Sequence, residues 1–482
     1  MIDIFEFSFS LHQILTGFLC LFFLYFAWKD QRANTYDKFP TIQLRFLLPS
    51  FFVLFVGVFI YLNNYWGYEG IFLSIEFALL VILSVFDTKF AVAFFIYVMI
   101  SRPWETYVND MMLSFPRDVF FLVVFSFVFH KAIRKRFYFQ WNSASLMLFL
   151  FAVWMFFSVV TSSDVSNGLR NYIDLFTKGV LVYFLIVNVV DRKEYVAPIQ
   201  IAMVIGIFEK ACISLYKTFF LESVAAGQRL TSTGILENSN DIAAILILGI
   251  PLTSYFFRTR DNKWLVRAIS LFIFFLYSIL VWKAKSRGAL LGVGSLMASY
   301  YWIRAKDKKK AMILLGVFGL VLFGLIKSIK RDSSDLEGST NNRIIYWKSA
   351  INMGIRKPIF GVGYNGYNRH FAEYAVGSIG SEGKNRTVHS NWLLPLAEGG
   401  IPAFIFYMAF WFYGFRAAYR LRFLHPEYIL AIVAYGTTIT FLSHTYLLYP
   451  YILLGLTIST EQFYSKDELL EENRLIMDNG AI

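Results

Sequence analysis

Three basic residues stand within five positions of one another, in the connection between two apolar segments. They are Lys283, Lys285 and Arg287 of Trp282-Lys283-Ala284-Lys285-Ser286-Arg287-Gly288. One basic residue at a span end often reaches lipid headgroups, but three beside a glycine favour an anion site. Arg229 and Arg343 lie in polar segments predicted on the same side of the membrane. A guanidinium suits phosphate because its planar fork donates paired hydrogen bonds and keeps its charge.

His389 is the histidine best placed for acid–base chemistry. It precedes an apolar segment in Thr387-Val388-His389-Ser390-Asn391-Trp392, with Glu398 about two helical turns further on. A histidine here can accept a proton from an alcohol, as a general base does. The alternative is a structural histidine satisfied by Asn391, and the local sequence does not decide between the two. His370 has no evident local partner, and the remaining histidines are interpreted as structural: His12, His130, His425 and His444.

Other chemistries lack the residues that they require. The chain has no nucleotide-binding Gly-x-x-x-x-Gly-Lys loop and no His-Glu-x-x-His motif. No Asp-x-Asp pair stands in a predicted outer loop to hold a divalent metal, and Cys20 and Cys212 are interpreted as small core residues. We therefore expect no metal site and no cofactor.

The composition predicts an all-α polytopic membrane protein. Hydrophobic residues make up 57% of the 482 residues and charged residues only 16%, against about 25% in an ordinary soluble domain. The apolar segments have the length of membrane-spanning helices, and stretches such as Leu146–Val160 do not alternate as barrel strands do. The net charge of +12 comes from basic residues in short loops, where they set topology, so nucleic acid is not expected as a partner.

Fourteen membrane spans are predicted, and residues 450–462 are a candidate fifteenth. The spans lie at about 8–28, 46–62, 70–87, 89–101, 117–130, 143–161, 173–190, 196–219, 240–257, 267–283, 287–303, 311–327, 393–415 and 428–447. Lysines and arginines mark the cytoplasmic loops, such as 131–136 and 304–310, so the alternate loops face out. The predicted regions are an N-terminal bundle (1–219), a catalytic core (220–415) and C-terminal helices with a cytoplasmic tail (416–482).

The hydrophilic loop over residues 328–392 is far longer than a simple connection. Apolar residues at helical spacing predict a short amphipathic helix over Asn342–Ile355. A glycine-rich turn follows from Pro358, and a second short helix is predicted over Tyr367–Tyr374. Arg102-Pro103-Trp104-Glu105, at the end of the fourth span, is interpreted as an interfacial anchor.

Five segments in order resemble the signature of the O-antigen ligase and polymerase superfamily of bacterial membranes. The segments are Arg229-Leu230-Thr231-Ser232-Thr233-Gly234, Ser286-Arg287-Gly288-Ala289, Arg343-x-x-x-Trp347, Pro358-x-x-Gly361-x-Gly363-Tyr364-Asn365 and His389-Ser390-Asn391-Trp392-x-x-x-x-x-Glu398-Gly399-Gly400-Ile401-Pro402. The resemblance spans about 225–415. The superfamily has an asparagine directly after the histidine, whereas this chain has Ser390.

The resemblance implies a C-type glycosyltransferase-like helical bundle and an inverting, metal-independent transfer. The donor would be a glycan on undecaprenyl diphosphate, and the reaction would take place on the outer, periplasmic side of the bacterial cytoplasmic (inner) membrane. We expect His389, Arg343 and Arg287 to be catalytic. Arg229, Lys285, Asn391 and Glu398 are the expected substrate-binding residues, with Glu398 or Asn391 orienting the imidazole. Trp347 and Pro358 are expected to fix the loop, and Tyr346, Tyr364 and Tyr367 are candidates for stacking on sugar rings.

The acceptor stays open at this point. A lipid A core, a second lipid-linked repeat or a protein hydroxyl would each fit, so the chain is a ligase, a polymerase or an O-oligosaccharyltransferase. A lipid-linked glycan flippase is a rival of another class, because it also needs many spans and basic residues. A non-catalytic scaffold of a glycan-export complex is a third reading.

Overall fold

The computed structural model describes residues 11–19, 21–23, 80, 81, 83, 84, 88–105, 115–133, 139–221, 229–258, 263–328, 340–376 and 387–464. Every regular element in these ranges is helical. In chain order the helices are α1 (Thr88–Ser101), α2 (Phe115–Ile133), α3 (Ser143–Val160), α4 (Val165–Val189), α5 (Val196–Tyr216), α6 (Ser239–Arg258), α7 (Trp264–Lys283), α8 (Arg287–Arg304), α9 (Lys308–Ser328), α10 (Thr340–Arg356), α11 (Tyr367–Tyr374), α12 (Leu393–Arg420), α13 (Pro426–Ile439) and α14 (Leu448–Glu461).

The structure agrees with an all-α membrane protein. Among the described residues, six helices are long and apolar enough to cross a membrane, namely α3, α4, α5 with its flanking turns, α6, α7 and α12. Exposed Phe, Leu and Ile side chains on α7 and α9 are typical of helices that face lipid. The number of fourteen spans stays a prediction, since the predicted span over 46–62 and most of that over 70–87 lie outside the described residues.

Two short helices occur in the predicted outer loop, in the segments where the sequence predicts them. They are α10 over Thr340–Arg356 and α11 over Tyr367–Tyr374, with turns from Pro358 to Asn365 between them. By contrast, the span predicted over 428–447 is wrong at its end, because α13 stops at Ile439. Residues 440–447 form a connection before α14, and their polar side chains bond to other parts of the chain instead of continuing a helix.

The chain divides into two compact units, which differ from the predicted regions. Unit 1 is Met1–Phe139 with Val189–Glu237, and unit 2 is Gln140–Asn188 with Asn238–Ile482. In unit 1, α1 packs closely on α5: a Cβ at Gly206 would lie 2.8 Å from Cγ2 of Ile100. Unit 2 combines α3 and α4 with every helix from α6 onward. The predicted functional boundaries at 219 and 415 stay a prediction.

Helix α12 is broken at Gly400, and the loop after α10 fills the break. Gly400 has φ 74° and ψ −168°, a conformation essentially restricted to glycine. The amide of Ile401 donates to the carbonyl of Pro358 at 2.8 Å, and the amide of Val362 donates to the carbonyl of Ala397 at 2.9 Å. In an unbroken helix the amide of Ile401 would bond to the carbonyl of Ala397. The loop and the helix have therefore exchanged backbone hydrogen bonds.

Helix α3 satisfies the carbonyl groups that the break leaves without helical donors. Pro402 has no N–H, so the carbonyl of Glu398 accepts from the Ser158 hydroxyl at 2.5 Å instead. The indole N–H of Trp154 lies 3.0 Å from the carbonyls of Ile359 and Gly399. We call this arrangement of α3, residues 358–362 and residues 397–401 the α12 joint. It fixes the segment that leads to α11.

Gly400→Ala tests the α12 joint. An added Cβ would lie 2.5 Å from the carbonyl oxygen of Pro358, and the backbone conformation alone costs on the order of 1–3 kcal/mol for a non-glycine residue. We expect a clearly lowered melting temperature for the detergent-solubilised variant. Gly319→Ala is the matched control, because no atom lies within 4 Å of the added Cβ. Equal melting temperatures for the two variants would show that the break is not needed.

Candidate active site

The backbone of His389 is held in the left-handed region, with φ 48°. This conformation is uncommon for a residue with a side chain and persists where the surroundings impose it. The amide of His389 donates to the Ser443 hydroxyl at 3.1 Å, and its carbonyl accepts from the indole N–H of Trp347 at 3.1 Å. The expectation that Trp347 fixes this loop is thereby met.

The residues after His389 are bound to the connection between α13 and α14. The amide of Asn391 donates to the carbonyl of Ile439 at 3.1 Å, and the Thr445 hydroxyl donates to the carbonyl of Asn391 at 2.8 Å. The Trp392 indole donates to the Thr440 hydroxyl at 2.9 Å. Residues 440–447, here called the 440–447 loop, therefore fix the segment from His389 to Trp392 by hydrogen bonds.

A buried histidine fixes the 440–447 loop in turn. His444 Nε2 lies 2.9 Å from the Asp241 carboxylate, in the first turn of α6. Its Nδ1 lies 2.8 Å from the Tyr435 hydroxyl on α13. With both ring nitrogens engaged, His444 acts as a structural residue, as the sequence predicts.

Phe441 of this loop lies close to Arg343 and to Gly288, the residue after Arg287. The guanidinium carbon of Arg343 lies 5.9 Å from the centre of the Phe441 ring, and the ring of Trp347 lies 5.9 Å from it. On another side, a Cβ at Gly288 would lie 3.2 Å from Phe441. Gly288 directly follows Arg287, the first residue of α8. The backbone beside Arg287, the guanidinium of Arg343 and the amide of His389 therefore all lie next to the 440–447 loop.

The N-terminus of α8 adds to the positive character of this region. The Ser286 hydroxyl caps the helix by accepting the amide of Ala289 at 3.3 Å. A helix N-terminus carries a partial positive charge that favours anions. Lys285 stands just before it, with φ 48° and its amide bonded to the carbonyl of Trp282. The sequence predicts an anion site at Lys283, Lys285 and Arg287, and the structure adds the capped N-terminus of α8 beside Lys285 and Arg287.

Burial and charge keep the His389 imidazole neutral. Removal from water lowers the pKa of His389 to about 4, and the positive Arg343 acts in the same direction, while Asp241 opposes both. At neutral pH a group with this pKa is unprotonated, which is the form that a general base requires. In the described part of the chain the imidazole makes no side-chain hydrogen bond, and its ring packs 5.7 Å from that of Tyr346.

The structure corrects the expectation that Glu398 or Asn391 orients the imidazole. The carboxylate of Glu398 accepts from the Tyr446 hydroxyl at 2.7 Å and from the amide of Tyr367 at 3.2 Å, at the start of α11. The side-chain carbonyl of Asn391 accepts from the Tyr407 hydroxyl at 3.0 Å. Both residues are buried, at 4% and 0% exposure. They hold helices in position, and a substrate-binding role for them stays a prediction without a contact to support it.

The tyrosines proposed for stacking on sugars are core residues. Tyr346, Tyr364 and Tyr367 are 4%, 1% and 2% exposed. Tyr346 packs between His389 and Phe371, and the hydroxyl of Tyr367 donates to the carbonyl of Tyr346. The rings of Tyr346 and Tyr367 pack on Phe371 of α11, and the ring of Tyr364 packs on Tyr172 and Tyr446. All three rings are therefore buried away from any bound sugar.

Arg229 belongs to unit 1 and is described with that unit. The segment from Arg229 to Glu237 is held by Lys217, whose ammonium group donates to the carbonyl of Ser232 at 2.8 Å. The Thr218 hydroxyl accepts the amide of Thr231 at 3.2 Å. The predicted grouping of Arg229 with Arg287 and Arg343 stays a prediction.

Glu105 is the third support of that segment, and the structure corrects its interpretation as an interfacial anchor. Its carboxylate accepts the amide of Ile235 at 3.2 Å and pairs with Arg102 at 2.5 Å and with the buried Lys210 at 3.5 Å. Gly234 has φ 61°, and a Cβ there would overlap the Glu105 carboxylate. A carboxylate thus fixes the turn that follows Arg229.

An apolar groove adjoins the His389 region between α12 and α13. Its volume is about 440 Å³, and Trp392 and Thr440, which bond to each other, form one end. The other lining residues are mostly apolar: Met408, Trp411, Phe412, Phe415, Ile432, Val433, Gly436 and Thr437. Such a groove can hold a hydrocarbon chain beside a polar site. Among the described residues, no three His, Cys, Asp or Glu side chains are grouped as metal ligands would be.

Sequence reasoning missed the 440–447 loop with Ser443, and Asp241. The span predicted over 428–447 includes this loop, because apolar residues flank it. The signal that would have found it is Ser443-His444-Thr445-Tyr446, four consecutive residues with polar groups near the end of an apolar segment. Such groups need partners inside a membrane protein.

The comparison with protein families agrees with this geometry. The family model described as O-antigen ligase matches residues 271–408. The match includes Lys285, Arg287, Arg343 and His389 together with residues 358–362 and 397–401 of the α12 joint, while α3, Arg229 and the 440–447 loop lie outside it. No curated protein matches the chain. Residues 271–408 therefore match the O-antigen ligase family, and this match supports the resemblance of the chain to the O-antigen ligase superfamily.

Proposed function

We propose that the chain transfers a glycan from undecaprenyl diphosphate to an acceptor hydroxyl, with inversion and without a metal ion. The observation that carries the proposal is a neutral His389, fixed in a strained backbone conformation, with Arg343 and the start of α8, which carries Arg287, beside the 440–447 loop. Strained residues of this kind cluster at active sites. The family match supports the same class of reaction.

In the proposed reaction His389 is the base and the arginines act on the leaving group. The acceptor oxygen attacks the anomeric carbon while the bond from that carbon to the diphosphate oxygen breaks. The hydroxyl proton passes to the neutral imidazole, and the electron pair of the broken bond stays on the diphosphate. Arg287, Arg343 and the N-terminus of α8 offset the charge that develops there, which preorganised cations do best where water is excluded.

The apolar groove is the proposed seat of the donor's polyprenyl chain. It begins at Trp392, three residues from His389, and runs between α12 and α13 with a mostly apolar lining. A chain lying there would bring its diphosphate to the polar end of the groove. We place the site on the outer side of the bacterial cytoplasmic membrane, which rests on the distribution of Lys and Arg among the loops. The acceptor is a lipid A core, a second lipid-linked repeat or a protein.

His389→Ala tests the base. Loss of a general base lowers a rate by about 10²–10⁴-fold, so purified variant protein should transfer glycan at that reduced rate while its melting temperature stays near that of the unchanged protein. In cells, lipid-linked glycan should accumulate on the outer leaflet. Accumulation on the inner leaflet would instead indicate a flippase, and undiminished transfer would remove His389 from the mechanism.

Arg287→Lys and Arg343→Lys test recognition of the diphosphate. Lysine keeps the charge but loses the paired donors, and a hydrogen bond to a charged group contributes about 1.5–3 kcal/mol, so each variant should be roughly 10- to 150-fold slower. Arg304→Lys, at the other end of α8, is the control, because its guanidinium packs on Tyr300. Both site variants should fall well below this control in the purified transfer assay; parity with it would refute the role.

A further inference from the structure

A second cavity, with polar and charged residues in its lining, lies beside the α12 joint and away from His389. Its volume is about 390 Å³, and the backbone from Pro358 to Val362 forms one wall. Thr161 and Ser163 come from the end of α3, and His370 and Tyr374 come from α11. On α11 the next residue, Phe371, is buried and packs on Tyr346, which in turn packs on His389. Helix α11 therefore separates this cavity from the candidate active site.

Two cations line the cavity. Arg356 is the last residue of α10, and Lys357 follows it. In the part of the chain that the structure describes, neither has a carboxylate within ion-pair distance. Of the two nearby carboxylates, Asp164 pairs with Arg369 at 2.5 Å, and Glu373 bonds to His370 at 3.2 Å while it also lies within electrostatic reach of Lys357. The lining thus has positive charge available to an anion.

Neutral polar groups are arranged beside these cations. His370 Nε2 lies 3.2 Å from the Ser163 hydroxyl, and its Nδ1 lies 3.2 Å from the Glu373 carboxylate. This corrects the sequence-based view that His370 has no local partner, since Glu373 stands one helical turn away on α11. The ring of Tyr374 lies next to the cavity, and the guanidinium of Arg356 is 6.0 Å from its centre. Hydroxyl, imidazole and tyrosine groups are those that bind sugar hydroxyls and ring faces.

We propose that this cavity binds a sugar that carries a phosphate or carboxylate group. Arg356 and Lys357 bind the anionic group, and Ser163 and His370 bind hydroxyls of the sugar. The α12 joint makes the wall rigid, because Pro358, Ile359, Phe360 and Val362 all use backbone groups to bond to α3 or α12. A preformed cavity loses less entropy on binding than a flexible one. The proposal concerns binding and goes beyond the transfer proposed above.

Titration of the purified full-length protein with four small probes tests the cavity. The probes are glucose 6-phosphate, glucuronate, glucose and inorganic phosphate, followed by ligand-observed NMR. Glucose 6-phosphate or glucuronate should bind at least about tenfold more tightly than glucose, as expected for a hydrogen bond to a charged group. Binding of inorganic phosphate as tight as that of glucose 6-phosphate would overturn the assignment to a sugar. Failure of both acidic sugars to bind better than glucose would overturn the site itself.

Variants assign the binding to this cavity. Arg356→Ala with Lys357→Ala should weaken binding of the acidic sugar at least about tenfold, and His370→Ala about fivefold, as for one neutral hydrogen bond. The matched control removes two other exposed cations, Arg304→Ala with Lys306→Ala. Equal losses in the two double variants would refute the cavity. None of these measurements depends on glycan transfer, so a failure here is distinguishable from a failure of His389→Ala.

Discussion

The exchange of backbone hydrogen bonds at Gly400 is the constraint on which unit 2 depends. A helix that crosses a membrane must satisfy the hydrogen bonds of its own peptide groups. Helix α12 interrupts its helical hydrogen bonding at Gly400. The loop after α10 supplies the missing partners, with the Ser158 hydroxyl in place of the N–H that Pro402 lacks. Because the break can be satisfied only when the loop is seated, the position of the loop is coupled to the folding of α12.

Through Glu398, the α12 joint is also bonded to α11 and to the 440–447 loop. Glu398 lies in the broken turn, and its carboxylate binds both the start of α11 and Tyr446 of the 440–447 loop. That loop carries the backbone contact of His389 and the ring contact of Arg343. A buried carboxylate that appeared in sequence as a partner for the imidazole thus has a different function: it aligns the elements that hold the imidazole and the arginines.

Local patterns predicted the helices well, because apolar length and helical spacing act over a few residues. The positions of α10 and α11 follow from such spacing, and the turn at Pro358 follows from its glycines. Long-range pairings could not be read in this way. The hydrogen bonds from Tyr446 to Glu398 and from Ile235 to Glu105 join residues far apart in sequence. The end of α13 at Ile439 was also not evident from the local pattern. Motif order indicated His389, Arg287 and Arg343 as candidates, and their catalytic role stays a prediction. The contacts of the 440–447 loop with His389 and Arg343 join residues too far apart for local patterns to reveal.

The central claim is that arginines and a helix N-terminus, with His389 as base, suffice for the transfer. Its most direct test is transfer by purified protein in liposomes that contain undecaprenyl-diphosphate-linked glycan and acceptor, in excess chelator, with the anomeric configuration of the product read by NMR. We expect an undiminished rate and an inverted product. Transfer that stops with the chelator and returns with Mg²⁺ or Mn²⁺, or a product with retained configuration, would contradict the account.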